Sequence, residues 1–265
     1  MIRLLPLLRS ILLAVPLYAL LTLLGLISLV WNLIAMLLQP LLPEDTGRAL
    51  GRRVIAGAYR WFWRIASASG MMVVDATCLD VLREERGLIL VANHPTMLDA
   101  LLLVARLPHS ACIMKADLMR NIFLGAGARL ARYIRNDSAR TMIRLSVQDL
   151  RRGGQLVIFP EGTRTVAPQL NKFRPGVTLI SKLAQAPIQT VFIDTDSPYL
   201  GKGWPIWRVP PLPVVVKLRL GERFMPATDS DAQLRELEQY FRQNMEKRAP
   251  DASAACQTPR APTLS

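Results

Sequence analysis

Two stretches carry residue types that could do chemistry: Asn93-His94-Pro95-Thr96-Met97-Leu98-Asp99 and Phe159-Pro160-Glu161-Gly162-Thr163-Arg164. Each follows a short apolar run, Leu88-Ile89-Leu90-Val91-Ala92 and Gln155-Leu156-Val157-Ile158, which predicts a buried strand ending where polar residues begin. Reactive groups in α/β sheets lie just past the carboxyl ends of strands. The expectation is therefore one cleft, with a base from the first stretch and a cradle and counter-charge for an anion from the second.

The spacing of His94 and Asp99 constrains the local structure. Five residues along a continuous helix turn side chains apart by about 140°, so both cannot lie well inside one helix and still meet. Pro95 disfavours helix at His94 and suits an opening helical position, so a helix starting near Thr96 leaves Asp99 in its first turn, folded back toward the imidazole. Asp99 would then hold one ring nitrogen and leave the other free as a base. In the second stretch Pro160 ends the strand, Gly162 lets backbone amides turn toward a ligand, and Thr163 and Arg164 add a hydroxyl and a guanidinium fork suited to phosphate oxygens. A His and an Asp at this spacing also arise by composition, and the second stretch alone is compatible with a plain Pro-Gly turn. The two together carry the reading.

The elements that must position these residues follow from periodicity. Strands are expected near 71–75, 88–92, 111–115, 131–135, 155–159, 187–193 and 213–220, with helices over 97–107, about 117–128, 138–152 and 176–185. A last helix should start after Thr228-Asp229-Ser230-Asp231 and end near Arg248. This alternation predicts an α/β fold with a mostly parallel or mixed central sheet flanked by helices.

Ahead of that body, Ser10 through Leu38 contains no charged side chain, a run longer than the roughly 20 residues of a spanning helix. It is too long for a signal peptide and lacks a small-residue cleavage site before Pro40 and Pro43. Pro16 and Gly25 leave a tilted span and a re-entrant helix both open. Thr46 is expected to cap a second helix to about Ser69, mixing Arg48, Arg52, Arg53, Arg60 and Arg64 with Tyr59, Trp61, Phe62 and Trp63. Such a helix suits docking at a membrane interface, or else forms a basic face of the following domain. The expected organisation is residues 1–69 for the membrane-associated helices, 70–249 for the α/β domain, and a disordered tail over 250–265. Five arginines after the span, against Arg3 and Arg9 before it, put the α/β domain on the cytoplasmic face of the cell's inner membrane.

Composition narrows the partners. The 265 residues carry a net charge of +13 and are 51% hydrophobic, and mean hydropathy is +0.24. A polyanion is expected as partner. The composition favours a lipid bilayer over nucleic acid, since the arginines cluster beside the hydrophobic segment and not along an aromatic groove. Cys78, Cys112 and Cys256 are far apart and odd in number, which indicates neither zinc nor a disulfide framework. The loop from Ser197 to Pro213 holds five prolines with Tyr199, Trp204, Trp207, Lys202 and Arg208, and suits either the membrane interface or a cover over the sheet.

The paired stretches closely resemble the signature of the glycerolipid acyltransferases, especially the 1-acylglycerol-3-phosphate acyltransferases. Met114-Lys115-Ala116-Asp117-Leu118 with Gly125 is similar to that family's lysine-bearing block, and Tyr133-Ile134-Arg135 to its phosphate-binding arginine block. Phe173-Arg174-Pro175-Gly176 followed by Ala186-Pro187-Ile188 resembles its last block, so about 120 residues are covered in family order. Two departures, Asn136-Asp137 after Arg135 and Gln189-Thr190 after Ile188, bear on the acceptor more than on the reaction.

The resemblance implies a membrane-bound O-acyltransferase that moves a fatty acyl group from acyl-CoA or acyl carrier protein to the hydroxyl of a lysophospholipid, with no metal or other cofactor. His94 would be the base, Asp99 its orienting partner and Lys115 an oxyanion donor. Arg135, Glu161, Gly162, Thr163 and Arg164 would orient the phosphate-bearing acceptor, with Glu161 bonding a hydroxyl or fixing an arginine. His109 is expected to be a solvent-facing bystander. Glycerol-3-phosphate, a lyso-aminolipid or a specialised alcohol are alternative acceptors, and a non-catalytic protein that binds anionic lipid is the alternative of a different class.

Overall fold

The structure is a computed structural model that describes residues 4–166, 170–206 and 208–246. Trp207, Arg248 and the expected disordered tail over 250–265 lie outside them.

Five strands at the centre of the chain are parallel: β2 (Leu88–Ala92), β3 (Ser110–Lys115), β4 (Ile134–Asn136), β5 (Gln155–Ile158) and β6 (Ile188–Thr195). β1 (Met72–Asp75) and β7 (Val214–Phe224) pair with each other in parallel, and β7 joins β6 antiparallel. The order is β1-β7-β6-β2-β5-β3-β4, a mixed sheet with β2 near its middle. All five residues of β2 are buried. Leu88, Leu90 and Ala92 point into one apolar layer, Ile89 and Val91 into the other, which is why a central strand reads as an unbroken apolar run. Truncating Leu90 to Ala would cost about 2–5 kcal/mol.

The helices are α1 (Leu4–Leu38), α2 (Glu44–Ala68), α3 (Asp99–Arg106), α4 (Gly125–Leu130), α5 (Ala139–Arg151), α6 (Gly176–Ala184) and α7 (Ser230–Glu246). The helix expected over 117–128 is two pieces, a 3-10 turn over Ala116–Arg120 and then α4. Asn121 divides them: its side chain caps the Phe123 amide at 2.8 Å while its carbonyl accepts from Gly125 at 2.8 Å. Thr46 does not cap α2. The helix begins two residues earlier, with Glu44 and Asp45 in its first turn, where carboxylates complement the helix dipole.

α1 runs through Pro16 and Gly25 as one helix, and its segment Leu13–Leu38 is long and apolar enough to cross a membrane. Leu17, Leu20, Ser28, Asn32 and Ala35 turn inward, and Asn32 Oδ1 accepts from the amides of Ala126 and Gly127 at 2.6 and 3.0 Å. The first turn of α4 leaves its own amides unpaired, so α1 supplies a cap from 94 residues away. Gly127 has no side chain where the indole of Trp31 lies against it.

α2 buries Gly47, Gly51, Ile55, Tyr59, Phe62, Trp63 and Ala66, a stripe at helical spacing, in the core shared with the sheet. Of its basic and aromatic residues, Arg53, Trp61 and Arg64 face outward. Arg52 is buried and bidentate to Asp149 at 2.7 and 3.1 Å, and it also donates to the carbonyls of Ala131 and His109 at 3.0 and 2.9 Å. Arg48 reaches the same carboxylate at 3.2 Å. The chain entering the α/β domain is thereby tied to α5 and to the loops on either side of β3.

Candidate active site

β2 and β5 are adjacent and parallel, with Val91 opposite Ile158, so their carboxyl ends release the two signature stretches side by side. The amide of His94 donates to Thr165 Oγ1 at 2.8 Å, and the amide of Thr165 donates to the His94 carbonyl at 2.7 Å. The imidazole stacks on Phe159, centroids 4.1 Å apart at 20°. Asn93 fixes the other side, exchanging bonds of 2.9 and 2.7 Å with the carbonyl and amide of Ile193 on β6.

Asp99 is the first residue of α3, and its Oδ2 lies 2.8 Å from His94 Nδ1. The carboxylate is 1% exposed and His94 20%. Thr96 holds Asp99 from two further directions, its amide to Oδ2 at 2.8 Å and its hydroxyl to Oδ1 at 2.6 Å. With the carboxylate accepting at Nδ1, the proton resides there and Nε2 keeps its lone pair, the tautomer a general base needs. The helix starts at Asp99 and not near Thr96, because Thr96 and Asp99 close their own turn first.

Glu161 is buried and points into its own loop. It accepts from the Thr165 hydroxyl, from the Asn171 amide at 2.9 Å and from Asn171 Nδ2 at 2.6 Å, so the hydroxyl it holds belongs to the protein. Gly162 has φ +66°, a conformation glycine tolerates, and its amide closes on the Phe159 carbonyl at 3.0 Å. That amide is spent on the turn and not presented to a ligand. Thr163 is exposed beside it. Arg164 sends one nitrogen, Nη1, to the carbonyls of Leu200 and Gly201, both at 2.8 Å, leaving Nη2 and Nε for any other partner.

Arg174 stands at the same turn. Its amide bonds the Pro160 carbonyl at 2.9 Å, its guanidinium covers Gly162, and it has no ion-pair partner among the described residues.

Lys115 is exposed at the end of β3, the strand on the far side of β5. Arg135 lies in β4 opposite Met114, exposed and paired with Asp137 at 3.0 Å. Both therefore share the carboxyl edge of the sheet with His94. His109 precedes β3 at the opposite edge, and its ring is mostly enclosed, which corrects the expected solvent-facing position. Burial, then the nearby Arg86 charge, pushes its pKa down.

The proline-rich loop covers the first stretch. The Met97 amide donates to the Leu200 carbonyl at 3.1 Å, and Tyr199 and Leu200 are buried. Tyr199 lines a cavity of about 20 Å³ with Thr96 and Asp99, and burial pushes its phenol up to about 12. Thr165, Phe159 and Arg174 are the site residues to which the sequence assigned no role. Thr165 directly follows Thr163-Arg164, and that adjacency was the available signal.

Residues 73–194 match the family model described as Acyltransferase. A curated protein of Caenorhabditis elegans, described as putative 1-acyl-sn-glycerol-3-phosphate acyltransferase acl-1, is 23% identical over 116 residues, 41% of this chain and 44% of that protein. The chain thus spans less than half the length of that relative. The crystal structure of the 1-acyl-sn-glycerophosphate acyltransferase PlsC from Thermotoga maritima has the same fold, with a TM-score of 0.66 at 19% identity over 93% of this chain and 98% of that one. Residues 73–194, which bring the two signature stretches to adjacent strand ends, are thus similar to the acyltransferase family in sequence and share the fold of one of its solved members.

Proposed function

We propose that this chain is a membrane-bound O-acyltransferase that transfers a fatty acyl group from an acyl thioester, of CoA or acyl carrier protein, to the free hydroxyl of a 1-acylglycerol-3-phosphate. The observation that carries this reading is the pair of hydrogen bonds between His94 and Thr165, which sets an oriented His–Asp base against the turn 159–164. The described names of the similar proteins support the acceptor class.

In this reaction Nε2 of His94 takes the proton of the acceptor hydroxyl as its oxygen attacks the thioester carbonyl. The tetrahedral intermediate carries an oxyanion, for which Lys115 is the proposed donor. Collapse breaks the C–S bond, and the imidazolium returns its proton to the leaving thiolate. The thioester is the only activated group, and the transfer as written draws on no cofactor. Arg135, Thr163, the free edge of Arg164 and the guanidinium of Arg174 over Gly162 are assigned to the acceptor phosphate, with Glu161 and Gly162 shaping the turn that presents them. The apolar helix α1 supports membrane association, and the five arginines that follow its apolar run support the reading that the domain works on the cytoplasmic face of the inner membrane.

The test is to incubate purified protein with one acyl thioester and a panel of acceptors, including lysophosphatidate, glycerol-3-phosphate and an uncharged lysolipid, and to identify products by mass. Phosphatidate is the expected product. Binding of anionic vesicles without thioester consumption would instead select the non-catalytic reading.

A further inference from the structure

The turn that follows Lys115 exposes apolar side chains. Ile122 is 64% exposed, Phe123 40% and Leu118 37%. The turn is well bonded: Asn121 N donates to the Leu118 carbonyl at 3.2 Å, Asn121 Oδ1 accepts from Phe123, and its carbonyl accepts from Gly125. Arg129 Nη1 also closes on the Met119 carbonyl. A hydrogen-bonded turn that keeps isoleucine and phenylalanine in water loses the hydrophobic stabilisation that folding them inward would give.

The position of the turn indicates what covers it. The Phe123 ring reaches Gly25 of α1, so the exposed apolar tip continues the outer face of that helix, where Leu26, Val30 and Leu33 are exposed. Lys115 and Arg120, both exposed, flank the tip with a net positive charge, the exposed Asp117 between them offsetting one of the two. An apolar tip continuous with an apolar helix and bordered by cations matches the cross-section of a bilayer interface, acyl chains below and anionic headgroups beside them.

We propose that the turn 118–123 inserts into the membrane surface, with Ile122 and Phe123 among the acyl chains, and that it seats the Lys115 end of the site against the lipid from which the acceptor comes. This rests on the membrane-bound acyl-transfer reading above.

The test uses the full chain with Cys256→Ser and Ile122→Cys, labelled with a polarity-sensitive dye; Cys78 and Cys112 are buried. Vesicles of phosphatidylcholine and phosphatidylglycerol should shift the emission to the blue, and brominated acyl chains should quench it. A label at Glu236→Cys on α7 should show neither effect. If the protein floats with vesicles and the two labels behave alike, the proposal fails while the membrane reading stands. If the protein does not float, the membrane reading itself fails. Concentration-dependent energy transfer between labelled molecules without lipid would assign the turn to a second copy of the chain and overturn the proposal. In kinetics, Ile122→Asp should raise KM for a long-chain acceptor in vesicles about tenfold and leave turnover of a water-soluble short-chain acceptor unchanged, with Ile122→Leu close to wild type. An unchanged vesicle KM in the Asp variant would also overturn it.

Discussion

Thr165 and His94, 71 residues apart, each donate an amide hydrogen bond to the other, at 2.7 Å to the His94 carbonyl and 2.8 Å to the Thr165 hydroxyl oxygen. The same hydroxyl donates to buried Glu161. One side chain therefore joins the backbone of the base to the turn that faces it. Thr165→Val keeps the shape and removes both side-chain bonds. Leaving one oxygen of a buried carboxylate and one amide without partners costs about 1–3 kcal/mol each, so the melting midpoint should fall by several degrees and acyl transfer by about tenfold or more. Thr165→Ser should restore both, and melting curves with initial rates on the three proteins decide it.

His94→Ala should lower turnover by about 10² to 10⁴ with membrane association unchanged. Asp99→Asn should leave the fold in place and reduce turnover by about 10² or more, because an amide at that position no longer enforces the proton on Nδ1. Near-wild-type transfer by either variant would remove the dyad from the mechanism.

Arg164 and Arg174 should separate kinetically. Arg164→Ala breaks the tie to Leu200 and Gly201 and loosens the loop over Met97, so it should impair thioester hydrolysis as well as transfer. Arg174→Ala leaves those bonds intact and should raise KM only for a phosphorylated acceptor, by about tenfold, with Arg174→Lys intermediate. Measuring both acceptors and the hydrolysis rate for each variant checks this. Equal loss on charged and uncharged acceptors would show that Arg174 does not read phosphate.

Asn32→Leu should lower the melting midpoint, since two amides of α4 lose their acceptor at a cost of about 1–3 kcal/mol each. Removing residues 1–42 deletes Asn32 together with Trp31, so the truncated protein should melt well below the full chain. If differential scanning in detergent gives equal midpoints, α1 is only an anchor.

His109 links stability to pH. Its folded pKa lies below the ordinary histidine value of about 6.5, so the folded state favours the neutral ring and the unfolded state takes up the proton first. The stability this gives is complete above about pH 6.5 and declines as pH falls toward the folded pKa. Wild type should therefore lose more of its melting midpoint than His109→Gln between neutral and mildly acidic pH, and should show no excess loss above neutral.

Much of this architecture was legible in the sequence because its signals are local. Leu88-Ile89-Leu90-Val91-Ala92 is an apolar run that stops at a polar motif, and the structure ends β2 at Ala92. The five-residue step from His94 to Asp99 admits contact only if a helix starts between them or at the second residue, and it starts at Asp99. Contacts that depend on chain reversal left no such trace. Neither Thr165 nor Asn32 has a spacing that announces a partner across the sheet or in another helix. Arg164 looked free because its acceptors are the carbonyls of Leu200 and Gly201, and backbone oxygens are the same at every residue. The outward aim of Ile122 and Phe123 was hidden too, since a short apolar pair reads equally well as core.

The buried bond between Arg52 and Asp149 has a consequence for how the chain is made. Its two ends are 97 residues apart, and the ribosome adds about 5–20 residues per second, so α2 is synthesised about 5–20 s before its carboxylate partner exists. A guanidinium without that partner is held in water by its hydration, because burying it unpaired costs several kcal/mol. Until then the acceptors that the finished fold offers this guanidinium are backbone carbonyls, those of His109 and Ala131 included, so close packing of this face of α2 is favoured once α5 has been made, just before the strand that carries the turn 159–164 emerges.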